Sequence, residues 1–337
     1  MRRLVFELSG EQATLPKSEV IGCIEAYGWK YAVTGSYDQA LILETNADVD
    51  ILARRLALTH HILELIFECK AEKEAIKKEA EKADIELAAG ETFLVRVKKV
   101  REYGNVDASF ERELGAVLWH RGHKVDLSHP DAEYRAIITE DVCIFGRLIA
   151  SPDRSQYEER APLKKPFFLP GVLMPRISRA IVNMARIRSG YMLDPMSGTG
   201  GILVEAELIG DEIHVVGCDI QKKMAYGTRW NLRHYGKNYD VVRQDSLHMA
   251  IKDDSIDAMV TDFPYGQSTP IMGATLEDFH KGALKEMRRV LKPGRYAVVV
   301  YREPMEKLLK EAGFKVIETH EQYIHRSLTR HMALVQK

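Results

Sequence analysis

The stretch Gly190-Tyr191-Met192-Leu193-Asp194-Pro195-Met196-Ser197-Gly198-Thr199-Gly200-Gly201 decides the fold. Gly190 to Asp194 reads as a short apolar strand. The residues after it form a glycine turn opening a helix that carries Ile202, Leu203, Ala206 and Leu208-Ile209. Strand, glycine turn and helix begin a nucleotide-binding α/β domain, because glycine lets the backbone approach a ligand closely. A dinucleotide fingerprint wants glycine straight after the strand and a third glycine at position 203, where this chain has Leu203. Here the strand ends in a carboxylate instead. Asp194 would repel a pyrophosphate and attract the ammonium and sulfonium of S-adenosylmethionine, so the motif favours that donor over NAD.

Three more acidic strand ends come after it. Val215-Val216-Gly217-Cys218 leads to Asp219 and Ile220, and Asp219 is placed to accept hydrogen bonds from ribose hydroxyls. Val241-Val242-Arg243-Gln244 leads to Asp245 and Ser246, where Asp245 could meet the adenine amino group. Ile256 to Thr261 is a strand ending in Asp262-Phe263-Pro264-Tyr265-Gly266, 68 residues after Asp194 (262 − 194). Any one of these aspartates could simply cap a helix, which Asp does well. Taken together, in this order and after a glycine turn, they describe one site.

The last motif names the acceptor. An exocyclic amine of a base is a poor nucleophile, because its lone pair is conjugated into the ring. Asp262 accepting one N–H, with the carbonyl of Phe263 accepting the other, would localise that lone pair and take the released proton. Pro264 fixes the turn, and Tyr265 would stack on the extracted base. C5 methylation of a pyrimidine needs an attacking cysteine, and the only one near a strand end, Cys218, is on the donor side.

Composition bounds the rest. The chain has 337 residues, 45% of them hydrophobic, enough for two or three domains with sizeable cores. A net charge of −1 gives no bulk attraction to nucleic acid, so RNA binding would need a local basic face. Cys23, Cys69, Cys143 and Cys218 are far apart, follow no metal or redox spacing and read as buried thiols of a reducing compartment. The pairs His60-His61 and His120/His123 lack nearby ligands, so no metal is assigned. The start enters a strand directly and no apolar run approaches membrane length, which points to a cytoplasmic protein with no membrane partner. Abundant Lys and Glu with few Asn and Gln is a thermophilic tendency.

From the start, strands at 3–8, 30–35, 40–44 and 61–68 and helices at 17–27 and 48–58 give a βαββαβ order, ferredoxin-like, for residues 1–68. Residues 69–150 read as a second small α/β domain: a charged helix at 71–82, a strand at 92–100, a helix at 108–121 and strands near 123–127, 133–140 and 142–149. Residues 151–165, polar and without periodicity, read as a linker. Residues 166–337 alternate strand and helix and end in a hairpin of strands 314–319 and 331–336 joined by Glu321 to Arg326, which suits Rossmann-like methyltransferases better than dehydrogenases.

Over nearly its whole length the chain resembles the archaeal tRNA guanosine-10 N2-methyltransferases. The stretches that carry this are Val125 to Asp131, Lys165-Pro166-Phe167-Phe168-Leu169-Pro170-Gly171-Val172-Leu173-Met174-Pro175-Arg176, the glycine turn, Asp262 to Gly266, and His325-Arg326-Ser327-Leu328-Thr329-Arg330. The resemblance implies an α/β chain whose C-terminal Rossmann-like, S-adenosylmethionine-dependent methyltransferase domain comes after a ferredoxin-like domain and a THUMP RNA-binding domain at 69–150. It implies that Phe168, Pro170 and Gly171 join Asp194, Met196, Ser197, Gly198, Thr199, Gly200, Asp219, Ile220, Asp245 and Ser246 around the donor, and that Asp262 is the catalytic carboxylate. Phe263 stands where the family usually has proline; because position 263 would contribute a backbone carbonyl the exchange should be tolerated, with its effect on the shape of the base pocket left open. The implied partner is tRNA, gripped at its acceptor stem and 3′ end, with Arg96, Lys98, Lys99, Arg101, Arg112, Arg121 and Lys124 as candidate phosphate contacts. A monomer is expected, with a partner subunit left open. The motif itself does not separate guanine N2 from adenine N6 or cytosine N4, so methylation of another tRNA position, rRNA or DNA is the alternative, and a tRNA-binding protein with an inactive domain is a third reading.

Overall fold

The first strand, β1 (Arg2–Leu8), is buried from Leu4 onward without alternation, the pattern of an interior strand covered on both faces. The computed structural model of the protein describes residues 1–337 except 86, 89, 107–108, 266–274 and 327, so Gly266 and Ser327 lie outside the described residues. The chain divides into two compact units, one of residues 1–17, 29–54 and 58–153, the other of residues 18–28, 55–57 and 154–337.

After β1 the elements in chain order are α1 (Leu15–Ala26), β2 (Tyr31–Tyr37), β3 (Ala40–Thr45), α2 (Val49–Arg55) and β4 (Thr59–Lys70). They continue with α3 (Lys73–Lys82), β5 (Thr92–Lys99), α4 (Phe110–His120), β6 (Lys124–Val125), β7 (Ala132–Thr139) and β8 (Val142–Ala150). The first unit is one eight-stranded sheet of order β2-β3-β1-β4-β8-β7-β5-β6. Its first four strands are antiparallel in the ferredoxin-like order, as the βαββαβ pattern predicts. No break in the sheet separates residues 1–68 from residues 69–150, because β4 pairs with β1 on one side and β8 on the other. Ile76 and Ala80 of α3 and Phe110, Leu114 and Leu118 of α4 are buried against Phe93, Tyr134, Ala136 and Phe145 of the sheet. The charged remainder of α3 is on its outer side, where a charge run belongs.

The second unit adds α5 (Gln156–Glu159), α6 (Pro175–Met184), β9 (Gly190–Asp194), α7 (Gly201–Glu207), β10 (Ile213–Asp219), α8 (Lys222–Tyr235), β11 (Tyr239–Arg243) and β12 (Ile256–Asp262). It ends with α9 (Leu276–Val290), β13 (Leu291–Tyr301), α10 (Glu306–Glu311), β14 (Lys315–His325) and β15 (Leu328–Gln336). The sheet order is β11-β10-β9-β12-β13-β15-β14, parallel except for the terminal hairpin. The hairpin is longer than its sequence suggests. Glu321, Gln322 and Tyr323, expected in its loop, continue β14 opposite His331, Arg330 and Thr329.

Two local arrangements add physical reasons to the sequence reading or depart from it. Leu203 stands where a dinucleotide fold would use glycine for close helix–strand packing, and the missing space is supplied from the strand. A Cβ on Gly217 of β10 would lie 2.7 Å from Leu203 Cδ1, so glycine is needed there instead. The expected linker is also a folded strap from Arg154 onward, and residues 151–165 are not a free connection. Tyr157 is buried between the guanidinium groups of Arg160 and Arg179, 5.0 and 5.9 Å from its ring centre. Arg160 forks the fully buried carboxylate of Glu205 with bonds of 2.8 and 3.1 Å. The polarity that suggested a linker serves to neutralise that buried acid. Among the described residues, no helix is long and apolar enough to cross a membrane.

Candidate active site

The strand order reverses between β10-β9 and β12-β13, and in open α/β sheets the crevice beyond the carboxyl ends at that point is where ligands bind. A cavity of about 500 Å³ occupies it, within the usual range for small-molecule sites. Its walls include Asp194, Asp219, Asp245 and Asp262, and no Lys, Arg or His is among its described lining residues. The backbone has therefore collected four carboxylates around one space whose described lining residues include no cation.

Each acid is held by its own strand end. Asp194, at the end of β9, is 1% exposed; its Oδ1 accepts from Thr261 Oγ1 at 2.8 Å and from the Met196 amide at 3.2 Å. Burial pushes its carboxyl up to about 7, and the nearby charges of Asp262 and Asp219 add to that. Asp219, at the end of β10, ties down the glycine turn by accepting from Gly198 N at 3.0 Å and Gln221 N at 2.8 Å. Burial raises its pKa as well, against those two bonds. Asp245 accepts from Leu247 N at 2.9 Å in the loop after β11. Asp262, at the end of β12, is pushed up to about 6 by burial.

The turn is shaped from behind by α8. Gly200 sits at φ 74°, and Thr228 Oγ1 donates to the carbonyl of Gly198 at 2.9 Å. Asn231 donates from Nδ2 to the carbonyls of Thr199 and Phe167, both at 2.8 Å, while its Oδ1 accepts from Phe167 N at 2.9 Å. One buried amide thus fixes both the glycine turn and the strap 167–171. Neither Thr228 nor Asn231 stands out in the sequence, since a polar residue inside a helix carries no signal until its partner loops are known.

The structure brings most of the expected donor residues into one wall: Pro170, Gly171, Asp194, Met196, Ser197, Gly198, Thr199, Asp219, Ile220, Asp245 and Ser246. Phe168 is half-buried outside that wall, and its neighbour Leu169 lines it instead. Gly200 shapes the turn rather than facing the cavity. Sequence reasoning missed Ser178, Gln221, Met224, Leu247 and Phe279. Ser178 is 1% exposed and its Oγ has no hydrogen-bond partner among the described residues, although it lines the cavity. A buried hydroxyl left without a protein partner at a cavity wall is available to a polar group of a ligand.

Around Asp262 the neighbouring side chains are engaged within the protein. The ring of Phe263 is 2% exposed and packs edge-on against Phe279 and His280, 6.4 and 5.2 Å between ring centres. It belongs to the core beneath β12 and reaches the cavity only through Phe279, which lines it, as suits a position expected to offer its backbone carbonyl. Tyr265, expected to stack on the base, is not among the described residues lining the cavity. Its hydroxyl donates to Asp262 Oδ1 at 2.6 Å and accepts from Arg330 Nε at 3.2 Å. Pro264 lines the cavity as expected of a turn residue there.

The candidate phosphate contacts all lie in the first unit, and most are engaged. Arg96 pairs with Glu111 at 3.5 Å, Lys98 with Glu7 at 3.1 Å, Lys99 with Glu102 at 3.5 Å and Arg101 with Asp38 at 2.7 Å. Arg121 donates to the carbonyls of Ala80 at 2.7 Å and Ala83 at 2.8 Å, and to that of Glu81, closing the end of α3. Arg112 and Lys124 are exposed and have no ion-pair partner among the described residues. No group of three or more His, Cys, Asp or Glu arranged to hold a metal ion is present among the described residues.

Known proteins match this arrangement. A family model described as RMKL-like, methyltransferase domain, matches residues 162–332. The tRNA (guanine(10)-N2)-dimethyltransferase of Methanothermobacter thermautotrophicus is 34% identical, with 98% of each chain covered. A human U6 snRNA (guanine-N(2))-methyltransferase is 28% identical over 58% of this chain and 37% of its own. A crystal structure of TrmN from Thermus thermophilus, 19% identical, shares the fold with a TM-score of 0.56 over 99% of both chains. With an acidic crevice at the switch point, a motif at its rim and a relative matched end to end, the chain belongs to the tRNA (guanine(10)-N2)-dimethyltransferase family.

Proposed function

We propose that the chain methylates the exocyclic N2 of guanosine 10 in tRNA, once or twice, with S-adenosylmethionine as donor. The observation that carries the reading is that Asp262 shares one cavity with Asp194, Asp219 and Asp245 and that no basic side chain is among the described residues lining it. Bound there, the donor supplies an electrophilic methyl group on a sulfonium. The donor carries two positive centres and one carboxylate, which the wall complements. Asp194 and its acidic neighbours would offset the cationic centres, Asp219 and Asp245 would offer acceptors for ribose and adenine, and the orphaned hydroxyl of Ser178 would be free to donate to the carboxylate.

Asp262 then acts on the acceptor. Its carboxylate accepts an N–H of the guanine amino group, raises the lone pair out of conjugation and takes the proton that is released. A carboxyl held up at about 6 is a better proton acceptor than an ordinary one yet is ionised at neutral pH. Guanine has to leave its stack to reach this depth, at a cost of a few kcal/mol. Residues 69–150 are assigned to gripping the acceptor stem and 3′ end, with Arg112, Lys124 and the exposed ring of Trp119 as contacts, and the protein to the cytoplasm.

The test is transfer of labelled methyl groups to unmodified tRNA transcript, with rRNA and DNA as competitors, and mass-spectrometric mapping of the product. Methylguanosine confined to position 10 is expected. Label in adenine or cytosine, or only in another nucleic acid, overturns the substrate assignment; no transfer to any of them, with donor still bound, favours an inactive RNA-binding protein.

A further inference from the structure

Among the described residues, Arg330 is the cation that reaches the acceptor motif, and it does so from the sheet's terminal hairpin. It lies on β15, 5% exposed, opposite Gln322 of β14. Its Nε donates to Tyr265 Oη at 3.2 Å, and its Nη2 donates to the carbonyl of Gly171 at 2.6 Å. Gly171 belongs to the strap that lines the donor cavity. Because the Tyr265 oxygen already accepts from a guanidinium, its own proton is directed to Asp262 Oδ1, 2.6 Å away. One oxygen of the carboxylate is thereby engaged and the other is left for a substrate.

We propose that Arg330 is a positioning residue that joins the donor strap to the acceptor carboxylate: one end of its guanidinium fixes Gly171, the other fixes the Tyr265 hydroxyl on Asp262. The inference rests on the proposed methyl transfer for its purpose, though not for its geometry. A planar fork with several donors suits this task, and a lysine could not hold both acceptors in fixed directions. The arrangement keeps Asp262 in one rotamer beside the cavity. It also gives the carboxylate a stabilising hydrogen bond and a nearby positive charge, both of which favour its ionised form against burial.

The deciding measurement is titration of Asp262 by carboxyl-carbon NMR in protein labelled at aspartate, with the signal assigned through D262N. In R330A the midpoint is expected to rise by at least about half a unit, because a neighbouring cation and the hydroxyl it orients are both lost. Y265F is expected to raise it as well, and adding R330A to Y265F to add less than R330A alone, since the two act through one chain of bonds. Affinity for S-adenosylhomocysteine should fall a few-fold in R330A and stay unchanged in Y265F, because Arg330 touches Gly171 and Tyr265 reaches it only through that guanidinium. R330K is expected to keep most of the Asp262 titration while losing donor affinity. An Asp262 midpoint that is the same in R330A and wild type overturns the proposal; if R330A does not fold, an unchanged midpoint in Y265F does so. The titration needs no RNA, so failure of the wild type to methylate any nucleic acid would count against the proposed methyl transfer alone.

Discussion

The two units handle charge in opposite ways. In the first, five of the seven basic residues that looked suited to RNA are engaged within the protein: Arg96, Lys98, Lys99 and Arg101 in ion pairs, Arg121 in closing a helix. In the second, four aspartates face one cavity whose described lining residues include no cation, and burial has pushed Asp194 and Asp262 up to about 7 and 6. Paired charge is architecture, whereas charge left to titrate awaits a partner. The contrast says which residues should matter to chemistry and which to stability.

Its sharpest test is Asp262→Ala. Methyl transfer should fall by at least about 100-fold, the scale of a positioned acid–base group, while the dissociation constant for S-adenosylhomocysteine stays within about three-fold. Unaltered turnover would remove Asp262 from the reaction. Asp219→Ala should do the reverse, weakening S-adenosylhomocysteine by about 10-fold or more in calorimetry, since it removes both the proposed ribose acceptor and the anchor of Gly198. Equal affinity in that variant would contradict its place in the donor site.

Asp194 sets function against stability. A carboxyl whose folded-state pKa lies above its unfolded value holds its proton more tightly when folded, so ionisation opposes folding. Its contribution is most favourable below about pH 4 and is lost as pH rises towards 7. Asp194→Asn can keep the bonds from Thr261 and Met196 without that charge. At pH 8 its melting temperature should rise by roughly 5 °C while affinity for the cationic donor drops about 10-fold. The gain in melting temperature should shrink at pH 5, where wild-type Asp194 is largely protonated. A variant no more stable at pH 8 than the wild type would mean that the buried charge is compensated elsewhere.

The sequence disclosed what backbone and charge dictate. Asp194, Asp219, Asp245 and Asp262 could be read because a carboxylate at the end of an apolar strand has few local roles, and the parallel sheet then brings four such ends to one edge. The features that stayed hidden depend on partners distant in sequence. Cys69 and Cys143 seemed unrelated until β4 and β8 set them opposite each other. Asn231 and Arg330 became informative only when their hydrogen bonds to Phe167, Thr199, Gly171 and Tyr265 were seen. The small residue a dinucleotide fold would place at position 203 is found at Gly217, across the helix–strand contact, where a fingerprint read along one segment does not look.

The smallest expected effects concern RNA, and they refine the contrast between engaged and free charge. Arg112 and Lys124 carry no internal pair among the described residues, so Arg112→Ala and Lys124→Ala should each weaken tRNA binding and lower the salt slope of log K by about one, with little change in melting temperature. Lys98→Ala should behave differently. It leaves the 3% exposed carboxylate of Glu7 with Arg135 as its remaining ion-pair partner among the described residues, so melting temperature falls while the salt slope changes by much less than one. If Lys98 and Lys124 reduced the slope equally, the internal pairing would have to open on the RNA, and pairing in the free protein would no longer separate structural from binding charge.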